Sequence, residues 1–226
     1  VLIIDEGQNL EQSWYQCLTL LQDSSKNRST YIFRDPTQSL YERAHEYVSD
    51  SSFHKIPLEI NRRNTREIHS EILKYYSGVV DYRSNAVEGD LAPTHIVANT
   101  LDDIYRELKQ LVGDLIKKDK FKHDDMTILT SSQYQRKVAQ TDSRFQIIDS
   151  WAGKSKTTDT KHAIRVTTPR KFQGLESPVV IMAGFDPKDL RDHDMARKFI
   201  YTGQSRARLR LYLIASENEF EFIKSL

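Results

Sequence analysis

Val1-Leu2-Ile3-Ile4-Asp5-Glu6-Gly7-Gln8 is the stretch from which the rest of the chain is read. Four apolar residues in a row suit a short strand buried on both faces, the kind that fills a parallel sheet. The run ends abruptly in two carboxylates and, after a glycine, a carboxamide. Carboxylates at the C-terminal end of a parallel strand stand where ligands bind in α/β sheets. Asp5 is suited to hold a Mg²⁺ ion that coordinates nucleotide phosphates, and Glu6 to orient or deprotonate an attacking water. The same pattern also fits a strand end that simply enters solvent.

Working outward, strands and helices alternate. Leu10, Trp14, Cys17, Leu18 and Leu21 recur at helical spacing, which predicts a helix capped by Asn9 with Trp14 and Cys17 in the core. Thr30 to Phe33 predicts a second strand. A further helix is expected after Asn64, where Asn64 and Glu67 have capping-box spacing and Ile68, Ile72 and Tyr75 share a face. Beyond a polar stretch from Ser77 to Asp90, His95–Val97 predicts a strand, and Ile104, Leu108, Leu111, Val112 and Leu115 a long amphipathic helix behind the cap Thr100. Met126–Leu129, Phe145–Ile148, Ile164–Thr167, Val179–Met182 and Leu211–Ile214 complete the expected strands. Alternation of this kind predicts an α/β fold with a largely parallel sheet flanked by helices. Gly153 to Lys161 reads as a loop by composition.

Composition bounds the function. The chain has 226 residues with 33 Lys and Arg against 32 Asp and Glu, a net charge of +1, too near neutral to announce a nucleic-acid partner. The charge is uneven: residues 1 to 50 carry 4 basic against 8 acidic groups, and residues 151 to 226 carry 14 against 9. No apolar run is long enough to span a bilayer, so no membrane partner is expected. Cys17 is the only cysteine, which excludes a disulfide framework and makes the cytoplasm the default compartment. The seven histidines show no paired metal-ligand spacing. Opening on an apolar run without an initiator Met, the chain reads as a piece of a longer protein.

Further polar clusters follow the first in order. Phe33-Arg34-Asp35-Pro36-Thr37-Gln38 again ends a strand, and the Gln38 amide is suited to sensing a phosphate. Glu59-Ile60-Asn61-Arg62-Arg63-Asn64-Thr65-Arg66 sets arginines just before a helix, a geometry suited to clamping an anion. With these in sequence, the chain resembles the UvrD/Rep-like superfamily 1 helicases. That family's Walker B strand reads D-E-x-Q, matched by Asp5, Glu6 and Gln8. Its G-D-x-x-Q-S-[IL]-Y motif is matched by Asp35, Gln38, Ser39, Leu40 and Tyr41, and N-x-R-[SN]-T by Asn61, Arg63, Asn64 and Thr65. Thr168, Gly174, Leu175 and Glu176 fit T-x5-G-L-E, and Tyr201, Gly203, Ser205, Arg206 and Ala207 fit Y-x-G-x-[TS]-R-A.

The resemblance implies two RecA-like lobes, the end of the first over residues 1–60 and the second over 61–226. It implies ATP and Mg²⁺ as cofactors, Asp5 as metal ligand, Glu6 as activator of water, and Gln38 as γ-phosphate sensor. Arg63 and Arg206 would stabilise the transferred phosphoryl group, with Glu176 on the ribose and Gln8, Gly174 and Gly203 also in the nucleotide site. Thr168, Tyr41 and Arg43 would contact nucleic acid, single-stranded or partially duplex DNA with movement from 3′ to 5′. The chain departs from the family at Arg34 for Gly, Gln173 for Lys, and Arg43 for an aromatic residue used in stacking. These departures favour the alternative of a helicase-like binding module or scaffold.

A helicase also needs a Walker A loop, whose amides and Lys cradle the phosphates. The only Gly-Lys-Ser here is Gly153-Lys154-Ser155, and Ile148 stands where its first Gly belongs. The implied partner is therefore a preceding part of the same protein. The interval from Arg63 to Thr168 is filled by the second lobe's own elements, a layout resembling helicases fused to nuclease-type domains. Arg208 and Arg210 read as a basic helix end leading into a strand.

Overall fold

The computed structural model describes residues 1–22, 28–38, 53–76, 83–84, 91–148, 163–186 and 192–226. The chain divides into two units, Val1–Glu59 with Ser77–Asp81, and Ile60–Tyr76 with Tyr82–Leu226. Tyr41, Arg43 and the Gly153 to Lys161 loop lie outside the described residues.

In the first unit, β1 (Leu2–Ile4) pairs in parallel with β2 (Thr30–Ile32), with α1 (Gln12–Leu20) between them in sequence. The apolar stripe of α1 is not buried, contrary to expectation: Trp14 is 56% exposed and Cys17 is exposed. The described sheet here has two strands, too little surface to cover a helix face. The helix is capped by Glu11, not Asn9, with no side-chain hydrogen bond.

The second unit contains β3 (Ile60–Asn61) paired with β4 (Arg83–Ser84), and a six-stranded sheet. Its strands are β5 (Thr94–Val97), β6 (Met126–Leu129), β7 (Phe145–Ile147), β8 (Ile164–Thr167), β9 (Ser177–Ala183) and β10 (Ala207–Ala215). They run β5-β10-β9-β6-β8-β7, all parallel, which is the expected α/β class. The helices are α2 (Arg66–Leu73), α3 (Leu101–Lys117), α4 (Gln135–Gln140), α5 (His193–Gln204) and α6 (Glu217–Lys224).

Alternation along the central strands builds two cores. Val180 and Met182 of β9 join Leu211 and Leu213 of β10 in a cluster with Ile68, Ile200 and Phe220 from α2, α5 and α6. Val179 and Ile181 face the other way with Tyr212 and Ile214, against Leu108 and Val112 of α3 and Val138 of α4. Strands buried on both faces read as continuous apolar runs, which is why their sequence betrayed them. Thr100 caps α3 as expected, its Oγ1 accepting from Asp103 N–H at 3.1 Å. For α2 the cap is Thr65, whose side chain accepts from Ile68 N–H, and not Asn64.

Two histidines in this unit, one buried and one partly desolvated at the surface, carry a cost that depends on pH. His69 is buried, and His95 stacks on Phe220 with ring centroids 5.2 Å apart. Burial pulls both below the usual imidazole value of 6.5; at His95 the Glu71 carboxylate opposes the shift, while Lys74 and Lys224 add to it. A lowered folded-state value means that the unfolded chain binds more protons below 6.5. Stability is therefore full above that value and falls as pH drops through it toward the folded-state values. The melting temperature should fall by a few degrees from about pH 7 to about pH 5.5, and the fall should flatten in a His69→Gln/His95→Gln variant, as read by circular dichroism melts.

Candidate functional site

The first unit gathers its predicted residues into one hydrogen-bonded chain. Asp5 follows β1, and its Oδ1 accepts from Glu6 N–H at 2.9 Å. Glu6 adopts a left-handed backbone, φ 53° and ψ 38°, which a residue with a Cβ rarely takes and which costs about 1–3 kcal/mol. Gly7 follows because the β2 side leaves no room: a Cβ there would stand 2.5 Å from Ile32 Cγ2. The Gln8 amide donates to Glu6 Oε2 at 2.6 Å, and Gln8 Oε1 accepts from Asp35 N–H at 3.1 Å. Asp35 in turn accepts from Thr37 N–H at 3.0 Å and from the Gln38 amide at 2.8 Å. Gln8 and Gln38 are both buried. Two segments some 30 residues apart in sequence thus share one polar network, from strand-end carboxylate to carboxamide.

In the second unit the predicted residues separate onto opposite edges of the sheet. Thr168 lies at the C-terminal end of β8, where it is buried and its Oγ1 accepts from Lys171 N–H at 3.2 Å, closing the turn that follows. Gly174, at φ 78°, takes the left-handed conformation that ends this turn. Glu176 immediately precedes β9 and Arg206 immediately precedes β10, so both stand at the N-terminal edge.

Arg63 joins them there. Its Nε donates to Glu176 Oε2 at 3.1 Å across 113 residues of sequence. Asn61 Oδ1 accepts from Arg63 N–H at 2.9 Å, and the Asn64 amide donates to the carbonyls of Ser205 and Ala207, tying this segment to the start of β10. Arg206 itself is 0% exposed; its Nε donates to Thr202 O at 3.1 Å and its Nη1 to Leu175 O at 3.4 Å. Gly203 is explained by packing, since a Cβ there would stand 2.4 Å from Met182 Cε. Arg208, read from sequence as a helix-end cation, lies 3.5 Å from Glu176 Oε1. No spacing in the sequence singles it out, because its orientation depends on the register shift between Ala207 and Arg210 where β10 pairs with β9.

Among the described residues no three His, Cys, Asp or Glu side chains converge as a metal cage. Mg²⁺ does not need one, because it keeps waters and takes phosphate oxygens beside one or two carboxylates. The exposed Asp5 at a strand end fits that requirement.

Residues 163–214 match the UvrD-like helicase C-terminal domain. This match spans β8, β9, α5 and β10 and holds Thr168, Gly174, Glu176, Gly203, Arg206 and Arg208, so the resemblance read from the motifs is borne out in this block. Asp5, Glu6, Gln38 and Arg63 lie outside it. The fold is also similar to the C-terminal domain of a possible DNA helicase from Lactobacillus plantarum WCFS1, with a TM-score of 0.54 at 17% identity, covering 69% of this chain and 88% of that one. No curated protein matches by sequence. No described helix of the chain is long and apolar enough to cross a membrane.

Proposed function

We propose that the chain is the C-terminal motor portion of an ATP-dependent superfamily 1 DNA helicase or translocase, with the first unit the end of one RecA-like lobe and the second unit the other lobe. The observation that supports this most directly is the pairing of Arg63 with Glu176 beside Arg206, three residues from three motifs that sequence alone spread over 144 positions. The two-stranded sheet of the first unit supports a larger lobe, because the paired Ile3 and Tyr31, and Phe33 just after β2, are exposed.

Mg²⁺, when bound with ATP, would neutralise phosphate charge. The chain's own residues do the rest. Asp5 offers the metal a carboxylate. Glu6 accepts a proton from water, and its strained backbone fits a side chain held for a task. Gln38, tied to Asp35, reports on the γ-phosphate. Arg63 is exposed and meets phosphoryl oxygens by exchanging its Glu176 partner for them; Arg206 is buried and must first leave Thr202 and Leu175 to do so.

Two measurements test this reading. The chain contains no Walker A loop, so alone it should hydrolyse no ATP above background in a phosphate-release assay; clear turnover would contradict the reading. A polypeptide joining it to a Walker A-bearing lobe should hydrolyse ATP several-fold faster with oligo(dT) present. Absence of stimulation would favour the scaffold alternative instead.

A further inference from the structure

Glu176 is one carboxylate held by two guanidinium groups, Arg63 Nε on Oε2 at 3.1 Å and Arg208 Nη1 on Oε1 at 3.5 Å. The three side chains are 41%, 44% and 51% exposed for Arg63, Glu176 and Arg208, so the cluster opens to solvent. Arg208 reaches it through an irregularity in β10. Ala207 pairs with Ser177 and Arg210 with Val179, so two β10 residues oppose one on β9. Such a bulge re-aims a side chain at a sheet edge. The bulge is fixed to the Arg63 segment by Thr65 N–H donating to Arg208 O at 3.3 Å.

Two guanidinium groups on the two oxygens of a carboxylate have the arrangement that also suits two oxygens of a phosphate. Exposed ion pairs hold their partners weakly, and a polyphosphate carries several charges where Glu176 carries one. We propose that Arg63 and Arg208 form a polyphosphate-binding pair, and that Glu176 occupies this pair as an internal competitor until phosphate oxygens displace it. Arg208 is thereby a binding residue beyond the five motifs. The inference rests on the nucleotide reading above and deepens it. Once displaced, the Glu176 carboxylate is released toward the ribose, so one side chain opposes the phosphates and favours the sugar.

Titration calorimetry of the chain with inorganic tripolyphosphate and with ATP, at low ionic strength, separates these effects. Glu176→Gln should tighten tripolyphosphate binding roughly threefold to tenfold, and the gain should vanish in Glu176→Gln/Arg208→Ala and fade with added salt. ATP should gain less than tripolyphosphate, because the ribose loses its carboxylate. Unchanged or weaker tripolyphosphate binding in Glu176→Gln overturns the proposal, as does a gain that survives Arg208→Ala, or no measurable binding of either probe. Equal gains for both probes would uphold the arginine pair and remove Glu176 from ribose recognition. All three side chains are exposed, so melting temperatures within about 2 °C of the parent verify that each variant is folded.

Discussion

Arg206→Ala is expected to lower the melting temperature of the chain by roughly 5–10 °C and, in a polypeptide joined to a Walker A-bearing lobe, to cut ATP turnover by about 10³. The two effects have separate causes. Arg206 is among the largest fully buried side chains, and its loss leaves a void and takes a donor from the carbonyls of Thr202 and Leu175. A buried group left short of a partner costs about 1–3 kcal/mol, and the void adds to that. The kinetic effect comes from losing a cation that spreads charge from the transferred phosphoryl group. Arg206→Lys distinguishes them, since it keeps the charge but not the planar fork. If Arg206→Ala melts low yet turns over ATP at the parent rate, the residue is structural alone. If it melts with the parent, the side chain is not buried in solution.

Glu6→Gln is expected to reduce turnover in the same joined polypeptide by about 10²–10⁴ while ATP binding stays near the parent value. The amide keeps the shape of the side chain but accepts no proton from water. Glu6→Gly should lose as much activity, yet melt no lower than the parent. Its gain is relief of the left-handed backbone at φ 53°, worth about 1–3 kcal/mol, set against the lost bond from Gln8 and the greater freedom of Gly in the unfolded chain. A pair of variants with equal loss of turnover and different melting temperatures would show strain held at a working residue. A Glu6→Gly variant that melts well below the parent would show instead that the Gln8 bond outweighs the backbone.

The strands were legible where both faces are buried. Met126–Leu129 and Ile164–Thr167 are found as read, because a central parallel strand needs apolar side chains on each face. Reading apolar runs shortened β9 and β10, whose N-terminal ends carry the polar Ser177 and the charged Arg208 and Arg210. Spacing alone made Asn64 a helix cap. In the fold its amide instead serves two carbonyls more than 140 residues away, and Thr65 takes the cap. Trp14 and Cys17 were read as core from helical periodicity. Periodicity states which side chains share a face, and not whether anything covers that face.

What the sequence by itself determined was local and ordinal: which runs are strands, which carboxylates and arginines follow them, and in what order the motifs come. That suffices for the fold class and the family resemblance, since both depend on patterns along the chain. Only the tertiary structure decided which of those residues meet. Parallel strands carry each segment back to a common edge, so Glu176, at the start of β9, stands beside Arg63 and Arg208, while Thr168, eight residues earlier, is left at the opposite edge. The burial of Arg206 and the bulge that turns Arg208 outward are set by how β9 and β10 pair, and a register between strands is not written in either strand alone.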